Sequence, residues 1–224
     1  MLRDFFHLAK DLVIQPQCLL CQAILGHDEN ASTPCNGCLE KLNFPPEGLS
    51  GMMPMRWIAL NWYEDQFRQL LLNLRRNRQR SAIHYIAKLL APRLPNEALL
   101  VPIPSWKKAS QANPLPQMLA RELDRPWHQL LARQRATLGQ HHLNYKLRQD
   151  NQKDAFKASP ELKQTMIDWS LHQAWIVDDI LTTGATVQAA RNCLQKLGIP
   201  VGGTVCLAKT PLDRYRHKPM PMTP

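Results

Sequence analysis

Trp175-Ile-Val-Asp178-Asp179-Ile-Leu-Thr182-Thr183-Gly184-Ala185-Thr186 runs from a short apolar segment through two adjacent acids into a small, hydroxyl-rich turn. Helical spacing then takes over and predicts a helix over Thr186–Leu197. An apolar run over Ala174–Val177 with a helix behind it reads as a strand of a parallel sheet, because such strands are covered on both faces and need no alternation. The turn exposes backbone N–H groups at a helix N-terminus, where the helix dipole favours an anion, and Thr182, Thr183 and Thr186 add hydroxyl donors. Gly184 lets the backbone approach that anion with no side chain in the way. Asp178 and Asp179 stand at the C-terminal end of the strand, where open α/β sheets bind ligands, and a carboxylate there can accept hydrogen bonds from both vicinal hydroxyls of a ribose. The loop Ile176–Thr186 therefore suits a ribose 5-phosphate group, the plainer alternative being a capped turn with two solvent-facing acids.

Outward from this loop, Trp57–Tyr63, Ala98–Ile103 and Thr204–Ala208 read as further strands. Helices are predicted over Asp65–Arg75, over Gln79–Leu94 before Pro95, and near Pro116–Leu123. Short apolar strands alternating with helices give an α/β fold with a parallel sheet covered on both faces. With 224 residues, 44% of them hydrophobic, there is material for one such core and a small appendage. The predicted division is an N-terminal helix, cysteine module and connector over 1–55, the α/β domain over 56–210, and a proline-rich, disordered tail over 211–224.

The appendage is marked by Cys18-Leu-Leu-Cys21 and Cys35-Asn-Gly-Cys38, two C-x2-C pairs separated by thirteen residues. Each pair can turn two thiolates to one ion, and the loop between them can close a tetrahedron, as in structural zinc sites. With four sulfurs bound, no position stays open for water or substrate, so a structural Zn2+ is the expected cofactor. His27 lies between the pairs, but two complete pairs leave it no role as a ligand. Cys193 and Cys206 fall in a predicted helix and a predicted strand and read as buried, inert thiols.

Lys and Arg outnumber Asp and Glu by 28 to 18, a balance of +10 that favours phosphate-rich partners. Arg75, Arg76, Arg78 and Arg80 form either a solvated face or a grip on phosphates. Arg133, Arg135, Lys146 and Arg148 can track a nucleic-acid backbone beside Tyr145, or line a basic loop over an anionic ligand. His141-His142 lacks a third ligand at a helpful spacing. Leu2, Phe5, Phe6, Ala9, Leu12 and Val13 make one apolar helix face, which can dock on the core or touch a membrane peripherally. No run reaches the roughly 20 apolar residues of a membrane-spanning helix, and no secretory signal pattern opens the chain, so a cytoplasmic protein is expected. The absence of a G-x-x-x-x-G-K-[ST] run excludes an ATP-driven motor of that kind.

The stretch from Ile176 to Thr186 resembles the phosphoribosyl-pyrophosphate (PRPP) signature of type I phosphoribosyltransferases at every position. That resemblance implies that Asp178 and Asp179 hold the ribose hydroxyls and that Thr182, Thr183, Gly184, Ala185 and Thr186 cradle the 5-phosphate, with Mg2+ accompanying PRPP. Thr137, Gln140 and Leu143, then Arg148, Asn151, Ala155 and Phe156, are similar to the segment preceding this loop in ComF-type proteins, which join a four-cysteine zinc module to such a domain. The resemblance runs from the N-terminal apolar helix to Lys209. It implies a type I phosphoribosyltransferase-like sheet and a part in natural competence, the uptake and handling of transforming single-stranded DNA, with competence or recombination proteins as partners. Lys107 and Lys108 stand for the family's basic pair and, with the four arginines and Arg148, are the expected pyrophosphate or DNA contacts. One stretch departs from the pattern: Ala112-Asn-Pro-Leu-Pro-Gln117 replaces Arg-Gly-Phe-Asn-Gln, in the region that helps hold pyrophosphate in active transferases. Three functions are therefore compatible with the sequence: a competence accessory binding PRPP or a related ligand and DNA, an active transferase acting on a nitrogen nucleophile, and an interaction scaffold with a relict site.

Overall fold

The structure, a computed structural model, describes residues 16–26, 30–105, 112–134 and 155–211. The predicted N-terminal helix, His27, Lys107, Lys108, the stretch 135–154 with Arg148 and the histidine pair, and the tail beyond Pro211 lie outside the described residues.

Among the described residues there are seven strands: β1 (Leu49–Gly51), β2 (Trp57–Trp62), β3 (Ala98–Pro102), β4 (Leu131–Arg133), β5 (Phe156–Ala158), β6 (Gln173–Leu181) and β7 (Val201–Lys209). The main sheet has the order β1-β2-β7-β6-β3, and all its pairs are parallel except the β1–β2 edge. β4 and β5 form a separate antiparallel pair. β3 is buried throughout and β6 over Ala174–Val177, as their unbroken apolar composition requires of strands covered on both faces. The Trp175 indole is fully buried, and β7 makes room for it with Gly202 and Gly203. A Cβ at Gly203 would come within 2.9 Å of that ring.

Five α-helices accompany the strands among the described residues: α1 (Asn36–Leu42), α2 (Asp65–Asn77), α3 (Arg80–Leu90), α4 (Leu115–Glu122) and α5 (Ala185–Lys196). α2 buries Phe67, Leu70, Leu71 and Leu74, and α3 buries Ala82, Ile83, Ile86, Ala87 and Leu90; both sets recur at three and four residues, one stripe per helix. These helices and α4 cover one face of the sheet, against Leu100, Val177, Val205 and Leu207. α5 and the β4–β5 pair cover the other, against Leu99, Val101, Ile176 and Cys206. Adjacent residues of one strand serve opposite layers, as the two-residue period demands.

This layering positions the site. β3 and β6 are neighbours in the sheet, yet α4, which follows β3, packs on one face and α5, which follows β6, on the other. Chains that leave adjacent strands toward opposite faces open a crevice at the strands' C-terminal ends.

The cysteine segment docks on the α2–α3 side. Leu19, Leu20, Leu25 and Leu42 join the same buried cluster as Phe67 and Ile83, each leucine contributing roughly 1.5–3 kcal/mol by leaving water. Phe44 meets Phe67 edge-on with ring centroids 5.6 Å apart, and Asn61 Nδ2 donates to the Leu42 carbonyl at 2.7 Å. The stretch 44–55, expected to be a bare connector, carries β1 on the sheet edge and is tied down by Arg93, which donates to the carbonyls of Pro46 and Glu47 at 2.6 and 2.8 Å.

Candidate functional site

The four cysteines of the two pairs converge, with all Sγ atoms within 4.8 Å of one another. Cys18 and Cys38 are 3.9 Å apart and Cys21 and Cys35 3.8 Å. Four sulfurs about 2.3 Å from a central zinc would stand about 3.8 Å apart in a tetrahedron, the separation these two pairs already show. Backbone N–H groups of Leu20 and Cys35 donate to Cys18 Sγ at 3.5 and 3.3 Å. Against the upward push of burial, backbone N–H groups at Cys21, Cys35 and Leu20 draw Cys18 down to about 6. Burial and the neighbouring sulfurs drive Cys38 well above the usual thiol value, because four thiolates this close cannot coexist without a cation. The cluster therefore fits a metal held by thiolates, with structural zinc the natural occupant. Cys206 is buried and Cys193 half-buried, and burial raises both thiols, in keeping with inert roles.

At the crevice, β6 runs through both acids to Leu181. Asp178 is half-buried, and its Oδ1 accepts the Asp179 N–H at 2.9 Å. Burial and the adjacent Asp179 carboxylate push Asp178 up to about 8, which Arg133 and Arg75 offset only in part. Asp179 is 5% exposed and is held by Arg75 of α2, whose Nε donates to Oδ2 at 2.8 Å, and by Asn113, whose Nδ2 donates to the same oxygen at 2.6 Å.

The raised Asp178 has a consequence for stability. In the unfolded chain this acid ionises near 3.8 and in the folded chain near 8, so between those values the native state holds a proton that the unfolded state has released, and stability falls as pH rises. Asp178→Asn removes the loss and can still accept the Asp179 N–H. The variant is expected to melt above the ligand-free parent at pH 8, by a margin that shrinks toward pH 4; a margin independent of pH over that window would contradict the assignment.

The turn after β6 opens α5. Gly184 is its N-cap with φ +83°, Thr183 Oγ1 accepts the Ala185 N–H at 3.4 Å, and Gln188 N–H makes an early helical bond to the Gly184 carbonyl at 2.9 Å. The N–H groups of the first turn have no partner within the helix itself, so this end can receive an anion. Lys209, buried at the end of β7, donates from Nζ to the carbonyls of Thr182 at 3.0 Å and Thr210 at 2.9 Å, tying the turn to the sheet. Desolvation by burial lowers its pKa. Gly184 has a second duty beyond ligand approach: a Cβ on it would stand 2.2 Å from Pro54 Cγ, so the connector fills the side a larger residue would need.

The run of four arginines divides. Arg75 turns into the crevice, Arg76 and Arg78 are exposed, and Arg80 pairs with Glu122 at 2.6 Å. Arg133 also borders the crevice, with Nε donating to the Pro104 carbonyl at 3.0 Å and its guanidinium 4.3 Å from the centre of the Phe156 ring. Asn113 carries no mark of a site residue in the sequence. It lies 66 positions from Asp179, and no local pattern could have signalled that contact.

No family model matches the chain. It is 31% identical over 211 residues to the DNA utilization protein YhgH of Salmonella typhimurium, covering 87% of this chain and 83% of that protein. The YhgH protein of Salmonella typhi is 30% identical over 209 residues, 86% of this chain and 84% of that one. Competence protein F of Haemophilus influenzae is 32% identical over 107 residues, 45% of each chain. The chain belongs to the ComF family. The mostly parallel sheet flanked by helices, and the cysteine cluster before it, agree with the ComF resemblance of the sequence. Among the described residues no helix is long and apolar enough to cross a membrane.

Proposed function

We propose that this ComF-family chain is a cytoplasmic competence accessory that handles incoming single-stranded DNA and whose crevice binds PRPP or a related ribose 5-phosphate ligand. The supporting observation is the juxtaposition, at the C-terminal end of β6, of the half-buried Asp178 with a threonine-rich turn and the N-terminus of α5. Asp178 is suited to a ribose diol, and Thr182–Thr186 to a 5-phosphate. Arg133 supplies positive charge on the β3 side, where a pyrophosphate group would extend, and Mg2+ bound with that group would offset its remaining charge. The exposed Arg76 and Arg78 are proposed contacts for a DNA backbone, as are Lys107, Lys108 and Arg148. The names of the relatives, DNA utilization protein and competence protein, support the cellular role. In this reading residues 1–55 form the zinc module and its connector and 56–210 the binding domain.

Mg-PRPP is expected to raise the melting temperature of the parent and not of Thr182→Val/Thr186→Val, whose loop has lost two hydroxyl donors. Single-stranded DNA should bind with an affinity that falls as salt rises, and Arg76→Gln/Arg78→Gln should reduce both affinity and salt slope. No stabilisation by Mg-PRPP, or DNA binding indifferent to salt, would overturn the corresponding half of the proposal. A transferase is favoured by the place of Asp178, half-buried at the end of β6 beside the turn, where burial raises its carboxyl. It requires PRPP-dependent release of pyrophosphate with some base, and a broad base screen without release would exclude it.

A further inference from the structure

The two adjacent acids are treated very differently by their surroundings. Asp179 Oδ2 receives Arg75 Nε at 2.8 Å, the second Arg75 nitrogen at 2.6 Å and Asn113 Nδ2 at 2.6 Å. A carboxylate oxygen offers about two lone-pair sites, so three donors saturate Asp179 Oδ2, and Asp179 is only 5% exposed where Asp178 is half-buried. Asn113 is itself aimed: its N–H donates to Ser105 Oγ at 3.0 Å and its Oδ1 accepts the Leu115 N–H at 3.2 Å, at the start of α4. Its amide nitrogen is thereby directed to Asp179. Asp178 has a single hydrogen bond among the described residues, the Asp179 N–H on Oδ1, and its Oδ2 has no partner there.

We infer that the two acids divide the work: Asp179 is a positioning carboxylate that fastens Arg75 and Asn113 to the end of β6, and Asp178 is the acid that meets the hydroxyls of a bound sugar. The inference rests on the proposed reading of the crevice as a ribose-phosphate site. It assigns a purpose to the stretch Ala112–Gln117, which departs from the family pattern: it supplies the asparagine that locks Asp179. The fastening joins three separate parts of the fold, namely α2, the segment leading into α4, and β6. Removing one partner strands the other as a buried, uncompensated charge, so the pair should behave as one unit.

The test is a double-mutant cycle on the full chain, read by thermal melting without ligand and by calorimetric titration with Mg-PRPP. Arg75→Gln and Asp179→Asn are each expected to lower the melting temperature by about 5 °C or more, and the double variant no further than the worse single one. Asp178→Asn should leave melting unchanged or raised, yet weaken Mg-PRPP by about tenfold or more. Arg75→Gln should also weaken Mg-PRPP, through the unpaired Asp179 charge, and Arg75→Lys should restore it. Additive losses of stability, or an Asp179→Asn variant that melts like the parent and loses Mg-PRPP as Asp178→Asn does, would overturn the inference. If the parent takes no Mg-PRPP, the ligand reading fails by itself. The melting cycle then decides the fastening alone, coupling upholding it and additivity overturning it.

Discussion

Cys18→Ala is expected to release the metal and unfold roughly residues 16–42. Apparent binding free energies of structural zinc run to about 10–16 kcal/mol near neutral pH, and a segment this small has no core of its own to replace them. Cys18 is the most connected of the four sulfurs, since it accepts two backbone N–H groups and is buried against the α2–α3 layer. Its loss removes a ligand and also the acceptor that organises both loops. The damage should spread, because Leu19, Leu20, Leu25 and Leu42 would leave the cluster that includes Phe67 and uncover it. Metal analysis should find one zinc per parent chain and a substoichiometric amount in the variant, and chelation should lower the parent's melting temperature. Stoichiometric zinc in Cys18→Ala would refute the four-thiolate site.

Gly184→Val is expected to cost roughly 2–5 kcal/mol and to abolish Mg-PRPP binding, through two independent causes. A β-branched residue at φ +83° is strained whatever the space around it. Space is also lacking, since Cγ and Cδ of Pro54 lie 2.2 and 2.8 Å from where the Cβ would stand. Either the connector lifts away from the loop, or the turn Thr182–Thr186 moves and misdirects the N–H groups at the start of α5. The causes separate by combination: Pro54→Gly should recover part of the loss from Gly184→Val, by relieving the contact, and leave the part due to the backbone angle. Urea unfolding measures both, and a Gly184→Val chain as stable as the parent would contradict this account of the turn.

Much of the architecture was legible because burial on both faces leaves a plain trace. Ala98–Ile103 and the apolar start of β6 are continuous hydrophobic runs, and the stripes of α2 and α3 recur at helical spacing. The apolar run ends at Val177, whereas the strand continues through Asp178 and Asp179 to Leu181. Its pairing with β7 as far as Leu181↔Lys209 supplies backbone bonds that two acids in a sequence do not advertise. The end of the second helix was also overrun, since Ala91–Arg93 tightens into a 3-10 turn at Pro92, where α-helical bonding cannot continue. β1, β4 and β5, at three residues each, are too short for periodicity to register.

The site was half legible. Cysteine spacing determines a metal centre almost without structure, because ligands in pairs carry their own geometry. The acids and the turn were visible for the same reason, being contiguous. Their clamps were not: Arg75 and Asp179 are 104 positions apart, and only the sheet order brings α2 over β6. Arg75 looked like one of four equivalent arginines, yet its place on α2, one residue beyond the buried Leu74, sends it inward while Arg76 and Arg78 face water.

The central claim is that the crevice between β3 and β6 is a ribose-phosphate site, and calorimetric titration of the full chain with Mg-PRPP tests it most directly. The account predicts saturable binding of one ligand per chain, displaced by ribose 5-phosphate and lost in Gly184→Val. No saturable heat, or equal binding by the parent and that variant, would contradict it.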